Sequence, residues 1–194
     1  MTEGMKEKRF SRYSRYCVVI LTVAIWALLA WSHYHGGVPS HHFLAQKEMP
    51  AISNWWGGVL LPLLTWFLLY RMQKKAFQKE SSYPLLRVGY GFAGALLFGI
   101  SISVLFTLGM PDLAGNLMIA LFVFAFFFPI YRSECLLGFV LGMTFTFGAV
   151  LPTLIGALLG LVGLVLHAYI RPAVLYVVSK FAFLLRLRKY DPEP

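Results

Sequence analysis

The sequence predicts an all-α polytopic membrane bundle of six transmembrane helices, followed by a C-terminal interfacial amphipathic helix. Two observations predict it. Hydrophobic residues fill 59% of the 194 positions and charged residues only 13%, about half the charged share of a soluble domain. The apolar residues also gather into six runs, Tyr16–Ser32, Trp55–Tyr70, Val88–Gly109, Leu113–Ile130, Cys135–Leu151 and Thr153–Ile170, none of which contains Asp, Glu, Lys or Arg. A helical crossing needs about 17 to 25 such residues, so each run is long enough or close to the short limit. One six-helix domain over residues 16–170 is therefore expected, between a basic arm at 1–15 and a tail at 171–194.

The first run follows Lys6, Lys8, Arg9, Arg12 and Arg15. That pattern is shared by signal peptides, but Leu28-Leu29-Ala30 before the bulky Trp31 makes a poor cleavage site, so a retained anchor is expected. The second run opens with Ser53 and Asn54, good helix caps, immediately before Trp55 and Trp56, whose indoles suit a headgroup region. It contains Gly57, Gly58 and Pro62. Pro62 cannot donate to the carbonyl of Gly58, which predicts a kink of the sort that lines transporter sites, and hence a candidate solute-binding position.

Gly91, Gly94 and Gly99 line the third run. The fourth is opened by Pro111, Asp112 and Asn116. Pro152 marks a short turn that makes the fifth and sixth runs antiparallel neighbours. Gly156 and Gly160 form a small-xxx-small pair with Gly163 nearby, which predicts close packing within the chain, with a homodimer face as the other reading. After Ile170, the apolar stretch Ala173–Leu185 is too short to cross and is interrupted by Lys180. Tyr176, Ser179, Lys180 and Arg186 recur at helical spacing, which predicts an amphipathic helix on the membrane surface with Lys180, Arg186, Arg188 and Lys189 at lipid headgroups.

Charge placement gives the expected sidedness. Of 17 lysines and arginines, only Lys47 falls outside the N-terminal arm, the segment Arg71–Arg87, Arg132 and the tail. The positive-inside rule then puts both termini in the cytoplasm, in a bacterial inner membrane, with the connection at 33–53 on the outer side. The net charge of +9 reads as attraction to anionic membrane lipids rather than to nucleic acid.

The connection at 33–53 is longer than most helix-to-helix loops, and such loops tend to be functional or disordered. It holds His33, His35, His41 and His42 with Glu48, and Asp112 opens another helix on the same face. If residues 33–35 are extended, His33 and His35 point the same way. With His41 or His42 and Glu48 or Asp112 they would offer a nitrogen and oxygen donor set suited to zinc, copper or nickel. No HExxH or CxxC spacing accompanies them. The simpler reading is a polar cap over the bundle shaped by Gly36, Gly37 and Pro39, and a third is a pH-responsive role.

Near the other end, His167 precedes Arg171 by one turn and Glu134 lies on the same side. This trio could bind a headgroup or relay protons, although a histidine bonded to a neighbouring backbone carbonyl is the plainer expectation. Cys17 and Cys135 are expected to be reduced, apolar packers. There is no nucleophile elbow, phosphate-cradling loop or intramembrane carboxylate pair. Three functions are consistent with these features. The favoured one is a non-enzymatic, lipid-associated scaffold or partner subunit, which would contact membrane lipids, a protein partner or a second copy. The alternatives are a small-solute transporter or channel using the kinked second helix, and a metal-dependent enzyme acting at the outer membrane interface.

Overall fold

The computed structural model describes residues 3–35, 40–42, 51–77 and 85–190. The bundle is helical: α1 (Glu3–Tyr34), α2 (Gly57–Ala76), α3 (Leu85–Thr107), α4 (Pro111–Phe127), α5 (Ser133–Phe147), α6 (Val150–Val165) and α7 (Arg171–Tyr190). Between α1 and α2, β1 (Ser40–His42) and β2 (Ala51–Ser53) form a three-residue antiparallel ladder that pairs Ser40 with Ser53, His41 with Ile52 and His42 with Ala51. A 3₁₀ turn at Asn54–Trp56 leads into α2, and its entry is capped by Ser53, whose Oγ accepts the Trp55 N–H at 3.4 Å.

The centre of the bundle is the α3–α5 pair. Glycine allows the two backbones to meet: a methyl group on Gly99 would lie 2.7 Å from the Phe139 carbonyl oxygen, and one on Gly138 would collide with the carbonyl of Phe92. Where no hydrophobic force separates helix from lipid, such close approach supplies the packing energy. Ser103 adds a buried interhelical bond, its Oγ–H donating to the Gly142 carbonyl at 3.2 Å. α6 lies on α5 through Gly156, which abuts Leu136 and Phe139. Gly163 seats Ile130. Of the predicted pair, Gly156 makes such a close contact, whereas Gly160 has only the Tyr131 Cα beside it, 4.0 Å from where a methyl group would stand.

α1 and α2 form a second antiparallel pair, with Phe10 against Phe77 at one end (centroids 5.9 Å apart) and Trp26 against Trp55 at the other (6.1 Å). Gly58 admits Leu29 and Trp26, and Gly57 meets Ala149 in the α5–α6 turn. α2 runs unbroken through Pro62. The α5–α6 turn depends on Gly148, at φ +71°, where the side chain of Asn54 occupies the place a Cβ would take.

Helices Gly4–Tyr34, Leu86–Thr107 and Val150–Ala182 are long and apolar enough to cross a membrane, and Pro111–Phe127 and Ser133–Phe147 are apolar and shorter. Large apolar side chains such as Ile20, Leu63, Leu97, Ile119, Val123, Phe145 and Leu158 face outward around the perimeter. That is the surface of a membrane-embedded protein.

Three sequence expectations change. The arm at 1–15 is not separate from the first helix, because α1 is continuous from Glu3 and carries the arm's basic side chains on its first turns. Residues 33–35 are not extended: His33 belongs to α1 and His35 closes its last turn, with Nδ1 bonded to the Trp31 carbonyl at 3.0 Å. Positions two apart on a helix do not face each other, so His33 and His35 diverge. Finally, the tail is no separate helix. α6 passes through a π-helical turn at Leu166–Ile170 directly into α7. No glycine interrupts residues 164–190, and Pro172, which has no N–H for the Ala168 carbonyl, follows a turn already wound wide enough to accommodate it.

Candidate functional site

Beside α4 opens a cavity of about 900 Å³ walled by α3, α4, α5 and α6. One face of α3 supplies Arg87, Tyr90, Gly91, Gly94 and Phe98, spaced three and four residues apart as one helical stripe requires. The body is aromatic and aliphatic. Phe98 stacks with Phe139 (centroids 6.2 Å apart), Phe124 stacks with Phe128 (4.5 Å), and Leu117 and Leu121 complete the α4 wall. Small residues keep it open: a methyl group on Gly94 would meet nothing within 4 Å.

Polar side chains gather at one end, where the first turns of α3 and α5 meet the last turns of α4 and α6. Arg87, Arg132, Glu134, His167 and Arg171 all line the cavity there. Glu134 lies in the first turn of α5, where a carboxylate is favoured by the helix dipole, yet it is only 3% exposed. It fits because Gly91 has no side chain: a Cβ there would stand 3.0 Å from the Glu134 Cγ.

His167 sits in the π turn, a feature often found at functional sites. Its Nε2 lies 3.3 Å from Nη1 of Arg171. A guanidinium can only donate, so Nε2 accepts and the neutral ring carries its proton on Nδ1. Nδ1 is buried and has no partner among the described residues. The Tyr131 ring stands 5.9 Å away. The plainer sequence reading of His167, a bond to a backbone carbonyl, gives way to this bond with Arg171.

The structure thus brings together Glu134, His167 and Arg171, the trio noted from sequence, and adds Arg87, Arg132 and the aromatic body. Gly156 and Gly160 line the same cavity, while Gly163, outside that lining, packs on Ile130. Gly57, Gly58 and Pro62 do not line it. At the opposite end of the bundle, the His33 ring lies 6.0 Å from Trp55 and His35 stacks on Trp31 at 3.8 Å. Asp112 is exposed in the first turn of α4. The ladder carries His41 and His42 to the start of α2, but their side chains, Glu48, and the side chains of Arg186, Arg188 and Lys189 lie outside the described residues. Among the described residues, no three His, Cys, Asp or Glu side chains gather as metal ligands. Lys180 extends over the Tyr176 ring, 5.3 Å from its centroid, on α7 and away from the cavity.

Comparison with protein-family models, with curated proteins and with solved structures gives no match.

Sequence reasoning noted Gly91 and Gly94 but missed Arg87, Tyr90 and Phe98 on the same α3 stripe, and it missed the Gly138–Gly142 pair. Both carried a signal. Gly138 and Gly142 have the same spacing as Gly156 and Gly160, and Arg87, Tyr90, Gly91, Gly94 and Phe98 follow helical periodicity from the basic segment into the apolar run.

Proposed function

We propose that this chain is a polytopic, non-enzymatic membrane protein that holds one membrane lipid in the α3–α6 cavity and serves as a lipid-associated scaffold or partner subunit. The observation that carries this reading is the cavity's division into a large apolar body and a single polar end. A volume near 900 Å³ lies within the range of about 300–1,000 Å³ typical of small-ligand sites. An amphiphile matches it part for part, its chain replacing lipid contacts along the phenylalanines and its head meeting the guanidiniums.

In this reading α1 to α6 each cross a bacterial inner membrane, and both termini and the polar end of the cavity face the cytoplasm. The charge asymmetry supports that orientation. α5, with 15 residues, spans only about 22 Å at the usual helical rise, so local thinning of the bilayer accompanies it. Arg171, where the spanning helix passes into α7, lies at the level of the inner-leaflet headgroups in this reading. A transporter built on the α2 kink is less well supported, since Gly57 and Gly58 are filled by Ala149, Leu29 and Trp26.

The test is native mass spectrometry of the protein released from membranes in mild detergent, beside Gly94→Leu. Leucine at that position extends into open cavity and favours the helix over glycine. Wild type should carry about one lipid per chain, and Gly94→Leu should lose it while melting no lower. Wild type that emerges free of lipid refutes the proposal.

A further inference from the structure

The polar end of the cavity has a composition that discriminates among headgroups. Three guanidiniums, from α3, from the residue preceding α5 and from α7, share the lining with the one carboxylate of Glu134. With His167 neutral, that lining carries a charge of plus two. The guanidiniums come from separate elements. A carboxylate head offers two oxygens in one plane, whereas a terminal phosphate offers three around a tetrahedral centre and can accept from guanidiniums on separate elements at once. A phosphate monoester also carries a charge between about −1.5 and −2 near neutral pH, matching the lining, while a phosphodiester carries one charge and a zwitterionic head none overall.

His167 supplies an independent observation. By accepting from Arg171 it holds that guanidinium at the cavity wall without neutralising it, as an acidic partner would. The bond also leaves Nδ1–H buried and, among the described residues, without a protein acceptor, a costly state when unrelieved. Such orphaned groups in native structures call for something the protein chain alone does not supply.

Resting on the lipid-holding reading above, we infer that the cavity selects a lipid or long-chain alcohol ending in a phosphate monoester. Arg87 and Arg171 hold the phosphate, Arg132 adds its charge to the wall, and His167 is a positioning residue for Arg171. The chemistry that recognises the head would accept free phosphate too. The Phe98, Phe124 and Phe139 walls favour the lipid-borne form by burying its chain.

The experiment measures binding to the full chain in nanodiscs of neutral lipid, with four probes: dioleoyl phosphatidic acid, dioleoyl phosphatidylglycerol, dioleoyl phosphatidylethanolamine and inorganic phosphate. Phosphatidic acid should bind at least about tenfold more tightly than the other two lipids, a difference of about 1.4 kcal/mol. Arg171→Ala and the exposed Arg87→Ala should each erase most of that preference. Arg171→Lys, which keeps charge but not the fork, should restore part of it, and Lys180→Ala should leave it intact. His167→Phe, which keeps ring volume but accepts nothing, should lower the preference for phosphatidic acid without lowering total lipid bound. Equal binding of the three lipids, or preference for phosphatidylethanolamine through Glu134, overturns the headgroup inference while leaving the lipid-holding reading intact. Inorganic phosphate that binds as tightly as phosphatidic acid, and does so in Gly94→Leu as well, overturns the lipid-borne form. Absence of all lipid binding defeats both.

Discussion

Gly142 of α5 packs so closely on the Leu96 carbonyl of α3 that a methyl group at Gly142 would overlap that oxygen. The contact lies at the centre of the bundle, where α3 and α5 have no side chain between them to yield.

Replacing Gly142 or Gly138 by alanine is therefore expected to destabilise the protein by at least the about 1–3 kcal/mol typical of overpacking, because the obstructing atoms are backbone. Gly115→Ala is the matched control. It lies in α4 with nothing within 4 Å of the added methyl, and should gain up to about 1 kcal/mol from helix propensity. Thermal unfolding of the purified variants in one detergent decides the comparison; equal melting temperatures for the two classes would sink it.

Ser103→Ala removes the one described side-chain bond between α3 and α5. The loss should be modest, about 0.6–1.7 kcal/mol, since the Gly142 carbonyl keeps its second lone pair. Ser101→Ala, which gives up only a bond to the Leu97 carbonyl within its own helix, should cost less. A larger effect at Ser101 than at Ser103 would contradict the assignment.

Gly148→Ala is expected to cost about 1–3 kcal/mol for its left-handed backbone alone. Displacement of the Asn54 side chain adds to this. Combining it with Asn54→Ala should recover the steric share but not the conformational share, so the two changes should be less than additive in a double-mutant cycle. Strict additivity would show that Asn54 does not occupy the pocket over Gly148.

The proposed six crossings predict where labels fall. Cysteines introduced near either chain end should react only with reagents that reach the cytoplasm, and cysteines at residues 43–47 only with impermeant reagents added outside, in a background lacking Cys17 and Cys135. Labelling of the two ends from opposite sides would rule out an even number of crossings.

Helix existence was largely legible in the sequence, because uncharged runs of this length leave little choice of structure in lipid. The capping role of Ser53 was legible too, since it depends on residues within a few positions. What escaped depended on distant partners. Gly94 and Gly99 look alike along α3, yet Gly94 opens onto the cavity and Gly99 presses on the Phe139 backbone. Nothing local distinguishes them. The extended reading of His33 and His35 failed because α1 continues past its apolar stretch, and Trp31 offers both a carbonyl and a ring to His35. The cavity itself was only partly legible. Glu134, His167 and Arg171 could be placed at one level of the membrane, but Arg87 joins them only once α3 is rotated against α5.

The winding at Leu166–Ile170 has a geometric consequence for everything after it. A wide turn holds about one more residue than an α-turn, so each later position is rotated by about 100° from where a regular helix would put it. Shortening that segment by a single residue would swing Arg171 away from Arg87 and Arg132 without changing any side chain. The identity of the cationic wall is thus a matter of phase as much as of composition.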